Sequence, residues 1–321
     1  MKIKQPKISH SAWDKYTTCP YMYYLHYEKR LRPKVGSTSS AIAFGYAIDN
    51  GLNELLITGD IKKAIDVFRL YFKWEYMADV TWDSRDYDES LVTPEMLTES
   101  KKYDKNWLIW ATMRVKGRML LEVYNRDVYS LIEEVEHVQK ELHDRPGVID
   151  AIVKLRGHGR VLLDNKTSIK PYDDKAIPFS TQLALYAKDQ GITKVGYVVL
   201  NKQIQKNTKK ICKICNYNGS YTQHKTCPKT NNGKRCHGLW NKSFSPEAQI
   251  QLLVEDIPEI NGQLIEESLC QVEKGIKNNV FPKNLKACNK IYGNPCPYIN
   301  YCWKQDETGL EIKPKQRRKD E

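Results

Sequence analysis

The stretch from Gly147 to Ala187 limits what this chain can fold into more than any other. Val148, Ile149, Ala151, Ile152, Val153 and Leu155 make an apolar, β-branched run, Gly157-His158-Gly159 turns the chain, and Val161 to Leu163 form the returning run. That pattern predicts a β-hairpin, with a helix after it that carries Gln182 and Tyr186 one turn apart. Asp150 falls inside the first run, where an unpartnered carboxylate is expensive, and Asp164 ends the second. Lys166 follows two residues on, and period-2 alternation points Asp164 and Lys166 to the same side of the sheet. Two carboxylates and one ammonium are therefore expected together.

Such a group suits a particular chemistry. Carboxylate oxygens are ligands for a hard divalent cation, and an ammonium beside that cation can orient or help deprotonate an attacking water and steady developing negative charge. Taken alone, a D-x-K pair is in most chains a solvent-facing pair at a strand end. Asp150, Gln182 and Tyr186 supply the context that changes this reading. Together, Asp150, Asp164-Asn165-Lys166 and Gln182-Leu183-Ala184-Leu185-Tyr186 resemble the PD-(D/E)XK nuclease core, in the Q-x-x-x-Y version of RecB-like and CRISPR-associated four-cysteine exonucleases. The resemblance implies an α/β fold with a small central mixed sheet flanked by helices. It implies Asp150 and Asp164 as ligands of magnesium or manganese, Lys166 as the catalytic lysine, and Gln182 and Tyr186 positioning that lysine or the DNA.

Composition fits this expectation. The chain has 321 residues, 40% of them hydrophobic, enough for a real core. An excess of 51 Lys+Arg over 39 Asp+Glu gives a formal charge of +12, which favours a polyanionic partner, although an ordinary basic protein would show the same balance. No apolar run approaches the roughly 18–20 residues of a membrane span, and Met1-Lys2-Ile3-Lys4 leads into no secretory segment. A cytoplasmic location without membrane attachment is expected. Nine cysteines without a secretory signal read as reduced thiols holding metal rather than as disulfides.

Along the chain, Ser9 offers an N-cap to a helix with Trp13, Tyr16, Cys19 and Tyr23. Ala41 to Leu56 reads as an amphipathic helix, in which the family pattern places a histidine four residues after a glycine. Here Gly45 is followed by Asp49, so the resemblance implies Asp49 as a third oxygen ligand, with Glu54 as the alternative and a solvated helix surface as the plain reading. Residues 61–126 read as helical with a polar break, and Trp107, Leu108, Trp110, Met113, Met119, Leu120 and Val123 as core. Val128 to Leu142, the hairpin and Val195 to Leu200 supply about four strands.

Lys206 to Lys242 is polar, with too few apolar residues for a core. Cys212-x2-Cys215, then Cys227 and Cys236, give four thiolates of zinc-ribbon character, with His237 adjacent to the fourth as an alternative. Lys202, Lys206, Lys209, Lys210, Lys225, Lys229, Lys234 and Arg235 surround them, and DNA gripping and a purely structural knob are both open readings. Ser245-Pro246-Glu247 predicts a helix start, and Cys270 on that helix reads as core. Cys19-Pro20, Phe281-Pro282-Lys283-Asn284 and Cys296-Pro297-Tyr298 resemble the cluster segments of the four-cysteine nucleases. This implies a 4Fe–4S cluster on Cys19, Cys288, Cys296 and Cys302, although Cys288 and Cys296 stand further apart than usual.

The expected organisation is N-terminal core helices over 1–60, a helical insertion over 61–127, the catalytic core over 128–205, a zinc-ribbon-like insertion over 206–242, a C-terminal helix and iron–sulfur segment over 243–312, and a basic tail over 313–321. The expected activity is metal-dependent DNA cleavage, exonucleolytic on single strands or ends, in recombination, repair or replication with other proteins of those processes. A structure-specific endonuclease, a non-catalytic DNA-binding module using the zinc insert and an RNA-directed nuclease are the alternatives.

Overall fold

A computed structural model of the chain describes residues 7–34, 38–215, 217, 226–231, 234–289 and 295–314, with the backbone alone at 205–210, 231 and 240–246. The hairpin is the middle of a five-stranded mixed sheet. Strands β1 (Ile132–Glu141), β2 (Val148–Leu155), β3 (Gly159–Ser168), β4 (Lys194–Cys212) and β5 (Trp240–Asp256) stand in the order β5-β4-β3-β2-β1. Only β3 and β4 run parallel; the other neighbours are antiparallel. A parallel pair needs a crossover, and a helix over Thr181–Gln190 provides it.

The longer helices are α1 (His10–Thr18), α2 (Ser40–Thr58), α3 (Ile61–Tyr71), α4 (Trp107–Asp127), α5 (Thr181–Gln190) and α6 (Glu259–Lys277). Side-chain hydroxyls cap three of them, Ser9 on α1, Ser39 on α2 and Ser180 on α5. Gly191 ends α5 in the left-handed conformation that glycine takes without a Cβ penalty (φ +61°).

Strand alternation divides the core into two layers. Val161 and Leu163 of β3 face α2, α3 and α4, where Phe44, Ile48, Phe68, Leu120 and Tyr124 are buried. Leu162 faces the opposite layer, where Leu183 and Tyr186 of α5 and Ile265 and Leu269 of α6 pack on Val195 and Val199. Burying a side chain of this size stabilises the fold by about 1.5–3 kcal/mol, so both layers hold the sheet firmly. Trp107, Trp110, Met113, Leu120 and Val123 are buried as expected, with Leu108 and Met119 packed against them.

Three local expectations are corrected. The segment beginning Ser245-Pro246-Glu247 is strand, not helix: β5 pairs with β4 from Trp240↔Cys212 to Asp256↔Lys194, and α6 opens only at Glu259. A helix-start signature yields here because a long partner strand satisfies the backbone, and the proline is tolerated because β5 is the sheet edge. Cys270 is exposed, since α6 buries Ile265, Leu269 and Val272 and Cys270 points off that stripe. Lys202 is buried, with its ammonium 3.7 Å from the Asp86 carboxylate, so it belongs to the interior rather than to a DNA-gripping surface.

Segments distant in sequence meet beside α1. Leu31–Pro33 pairs antiparallel with Leu310–Ile312. The Tyr16 hydroxyl donates to the Val280 carbonyl (2.6 Å), the Tyr21 N–H to the Pro282 carbonyl (3.2 Å) and the Asn284 amide to the Thr18 carbonyl (2.8 Å). Phe281 packs among Tyr16, Tyr23 and Tyr24.

Candidate active site and thiol clusters

The last ladder pair joining β2 to β3 at this end is Ala151↔Leu163, so Asp150 and Asp164 stand one step beyond it, where the two strands part. The Asn165 N–H donates to Asp150 Oδ2 (2.7 Å), a side-chain bond in place of the missing ladder bond. Lys166 lies on the same side as Asp164, its Nζ 2.6 Å from Asp164 Oδ2 and 3.5 Å from Gln182 Oε1. Gln182 also donates to Asp164 Oδ1 (3.2 Å) and to the Tyr186 hydroxyl (3.3 Å). One amide on α5 thus ties together the carboxylate, the ammonium and the tyrosine that the sequence singled out.

Asp49 reaches the same place from α2. A Cβ at Gly45 would come within 3.3 Å of Thr167 Oγ1, so glycine lets α2 approach β3 closely, and Asp49 follows one turn later. Burial and then the nearby Asp164 raise the Asp49 carboxyl above its usual range. Glu54 lies five residues further on, off the Asp49 face of the helix.

The electrostatics of this cluster are strained. Burial, and then Asp164 and Asp49, push Asp150 up to about 7. Asp164 is raised by burial against the pull of Lys166. Burial alone would lower Lys166, but Asp164 outweighs it, reinforced by Asp150, and the ammonium is held above its ordinary value. Three acids facing one cation form a site short of positive charge. Tyr124 Oη and both amide atoms of Asn165 are also buried without a hydrogen-bond partner among the described residues. Oxygen donors, excess negative charge and unused polar capacity fit a hard divalent cation.

Sequence reasoning missed two residues here. Tyr124 is fully buried among core side chains of α4, yet it lies near enough to Asp150 and Asp49 for their charge to add to the burial that raises its hydroxyl pKa. His10 opens α1, and its ring nitrogen meets Thr181 Oγ1 at 2.8 Å. Burial lowers its pKa, Asp14 opposes that, and Lys166 lowers it further. Neither sits at a spacing that marks it in the sequence.

The cysteines form two groups of different geometry. Cys212, Cys215, Cys227 and Cys236 have their sulfurs all within 4.8 Å of one another, with Cys212–Cys236 and Cys215–Cys227 both 3.6 Å apart. Tetrahedral zinc with Zn–S bonds near 2.3 Å places its sulfurs about 3.8 Å apart, so these thiols fit one such ion. His237 is exposed at positive φ and lies outside that group. The site caps the far end of the β4–β5 ribbon.

Cys19, Cys296 and Cys302 gather in a separate apolar patch with Met22, Leu25 and Tyr298. Cys288 joins them, its carbonyl accepting the Cys296 N–H (2.9 Å), while Cys19 Sγ accepts the Asn284 N–H (3.5 Å). Burial raises Cys296 and brings Cys302 up to about 11, with neighbouring thiols adding to both. Among the described residues, no three of these sulfurs come within the 4.8 Å that the ribbon group satisfies.

A mixed sheet with acids and a lysine where two of its strands diverge suits a hydrolase that acts on phosphodiesters. The family model of the PD-(D/E)XK nuclease superfamily matches residues 7–303, and the chain belongs to that superfamily. It is a hydrolytic nuclease, and nucleases of this superfamily use divalent metals. No curated protein matches the chain. No described helix is long and apolar enough to cross a membrane.

Proposed function

We propose that the chain is a cytoplasmic, magnesium- or manganese-dependent deoxyribonuclease acting exonucleolytically on single-stranded DNA or DNA ends, in recombination, repair or replication. The observation that carries this reading is the convergence of Asp49, Asp150, Asp164, Lys166 and Gln182 where β2 and β3 part. The net charge of +12 supports a polyanionic substrate.

Asp150, Asp164 and Asp49 would hold the cation. The bound ion supplies charge neutralisation at the phosphodiester and a more acidic water. Lys166, held protonated beside Asp164, donates to orient the attacking water and steadies the charge that develops on the phosphate. Gln182 fixes the Lys166 ammonium through Oε1 and the Asp164 carboxylate through Nε2, and Tyr186 fixes Gln182 in turn. Zinc at Cys212, Cys215, Cys227 and Cys236 would hold the ribbon tip, and a 4Fe–4S cluster at Cys19, Cys288, Cys296 and Cys302 would tie the chain's two end segments together.

End-labelled single- and double-stranded DNA, incubated with magnesium, manganese or EDTA, tests the reading. Stepwise, metal-dependent shortening of single strands is the expected result. Tight DNA binding without cleavage under any divalent metal would make the chain a binding module instead, and a cut internal to a junction or flap would make it a structure-specific endonuclease.

A further inference from the structure

Phe179 has 78% of its surface exposed, and no large hydrophobic side chain among the described residues is more so. It does not stand alone on the surface. Trp13, Pro178, Phe179, Ala184, Leu264 and Ile265 line a pocket of about 240 Å³ between α1, α5 and α6. Two hydrogen bonds hold parts of the wall. The Trp13 indole N–H donates to Ser268 Oγ (2.9 Å), and the Asn261 amide donates to the Pro178 carbonyl (2.7 Å), which holds the turn that carries Phe179.

This pocket adjoins the acid centre. Ser180 and Thr181 belong to its lining and lead straight into Gln182. Ser180 Oγ meets the Tyr197 hydroxyl at 2.6 Å, and Tyr197 lies within the electrostatic reach of Asp164 and Lys166. On the other side, His10 bonds Thr181, stacks obliquely on Trp13 (ring centroids 5.3 Å apart) and lies within the electrostatic reach of Lys166. Ser180, Thr181 and His10 therefore link the pocket wall to the surroundings of Lys166 and Asp164.

We infer that the pocket takes one unstacked nucleobase of the substrate, from a nucleotide flanking the scissile phosphate, with Phe179 and Trp13 as the stacking surfaces. The inference rests on the nuclease reading and narrows its substrate. A volume of about 240 Å³ lies below the roughly 300 Å³ where sites for drug-sized ligands begin, which suits a single heterocycle. The apolar walls suit the flat face of a base, and every base has such a face, so the pocket demands an unpaired nucleotide without demanding a sequence. A base stacked within a duplex cannot enter it. The enzyme then requires a single strand or a frayed end.

Two measurements test this, one of them independent of cleavage. In the first, an abasic nucleotide is walked along a single-stranded substrate cleaved by the wild-type protein, the Phe179→Ala variant and the Phe179→Trp variant. One abasic position should raise KM about tenfold, Phe179→Ala should raise it similarly on the intact strand, and the two losses should not add, because each removes the same stack. Phe179→Trp should restore most of the affinity. In the second, a strand carrying 2-aminopurine at that position is bound in EDTA, and its fluorescence should be quenched by wild-type protein but much less by Phe179→Ala. A protein that cleaves nothing yet shows this quench defeats the nuclease reading and keeps the base pocket. A protein that cleaves single strands with a flat abasic walk and no effect of Phe179→Ala keeps the nuclease and overturns the pocket, leaving that groove to a protein partner.

Discussion

The acid centre and the ribbon tip each gather groups that repel one another, and they are held by opposite means. At the acid centre the scaffold comes first: β2, β3, α2 and α5 are fixed by two buried layers, and they force Asp49, Asp150 and Asp164 together. At the ribbon tip the backbone pairing of β4 and β5 leads out to Cys212 and Trp240, and four thiols come within 4.8 Å of one another where the insert has few apolar residues to bury. Metal at the first site would serve chemistry and relieve charge. Metal at the second would serve folding of the tip. Substitutions should therefore separate activity from stability at the acid centre, and local order from activity at the tip.

The largest expected effect is Lys166→Ala. The ammonium is paired with Asp164 at a partly open site, so its loss leaves both core layers intact. Cleavage should fall about 10²–10⁴-fold while the melting temperature and DNA affinity hardly change. A Lys166→Ala protein as active as the wild type would remove this centre from the chemistry altogether.

The terminal cysteine site combines features of both regions, because its thiols lie on packed segments yet bring residue 19 to residues 288–302. A centre closing so long a loop removes much freedom from the unfolded chain. Anaerobically purified protein should be brown and contain iron and acid-labile sulfide. Cys19→Ser should bleach it and lower the melting temperature by about 5–10 °C, a shift of the size that loss of a long-range cross-link gives in a chain of this length. Colourless protein with two zinc ions and no sulfide would make this a second zinc site.

A smaller effect should appear as pH dependence. Asp150 is raised to about 7 in the folded protein against 3.8 for the free group, so between these values the folded state holds a proton that the unfolded state has lost. Stability must then fall as pH rises through that window, by linkage. Metal-free protein should melt lower at pH 8 than at pH 5, and Asp150→Asn should flatten most of that slope. Magnesium or manganese binds the deprotonated carboxylates, so either metal should reverse the trend at the alkaline end. An unchanged slope in Asp150→Asn would place the strain elsewhere.

Much of this comparison was legible in the sequence, and its limits are physical. The hairpin, the Asp164–Lys166 side and the Gln182–Tyr186 turn follow from local periods of two and 3.6, which the backbone obeys almost regardless of context. The zinc-type group at Cys212, Cys215, Cys227 and Cys236 was legible because a C-x2-C spacing is itself geometric. What failed depended on distant partners. Ser245-Pro246-Glu247 is locally a helix start, and only the extension of β4 to Cys212 makes it a strand. Lys202 looks like one basic residue among many until Asp86 meets it from far back in the chain. Tyr124 and His10 carry no motif; they matter through what the fold brings to them.

The smallest effect on catalysis should come from the ribbon itself. Among the described residues its outer half pairs with itself, from Lys206↔Pro246 to Cys212↔Trp240, so replacing residues 207–245 with a short Gly/Ser turn leaves the inner β4–β5 ladder to close as a hairpin. The shortened protein should keep its metal-dependent cleavage at high enzyme concentration and melt within a few degrees of the full chain. DNA binding is where the tip should register. Lys229, Lys234 and Arg235 are exposed there, and each phosphate contact contributes about 0.9 to the slope of log affinity against log salt on duplex and about 0.7 on single strands. Loss of contacts from these three alone should make that slope shallower by about 2 on a single strand, and the other five Lys residues of 207–245 that the excision removes can only add to this. A slope unchanged by the excision would mean that the tip never touches the strand, and its thiol site would then serve a protein partner or the ribbon alone.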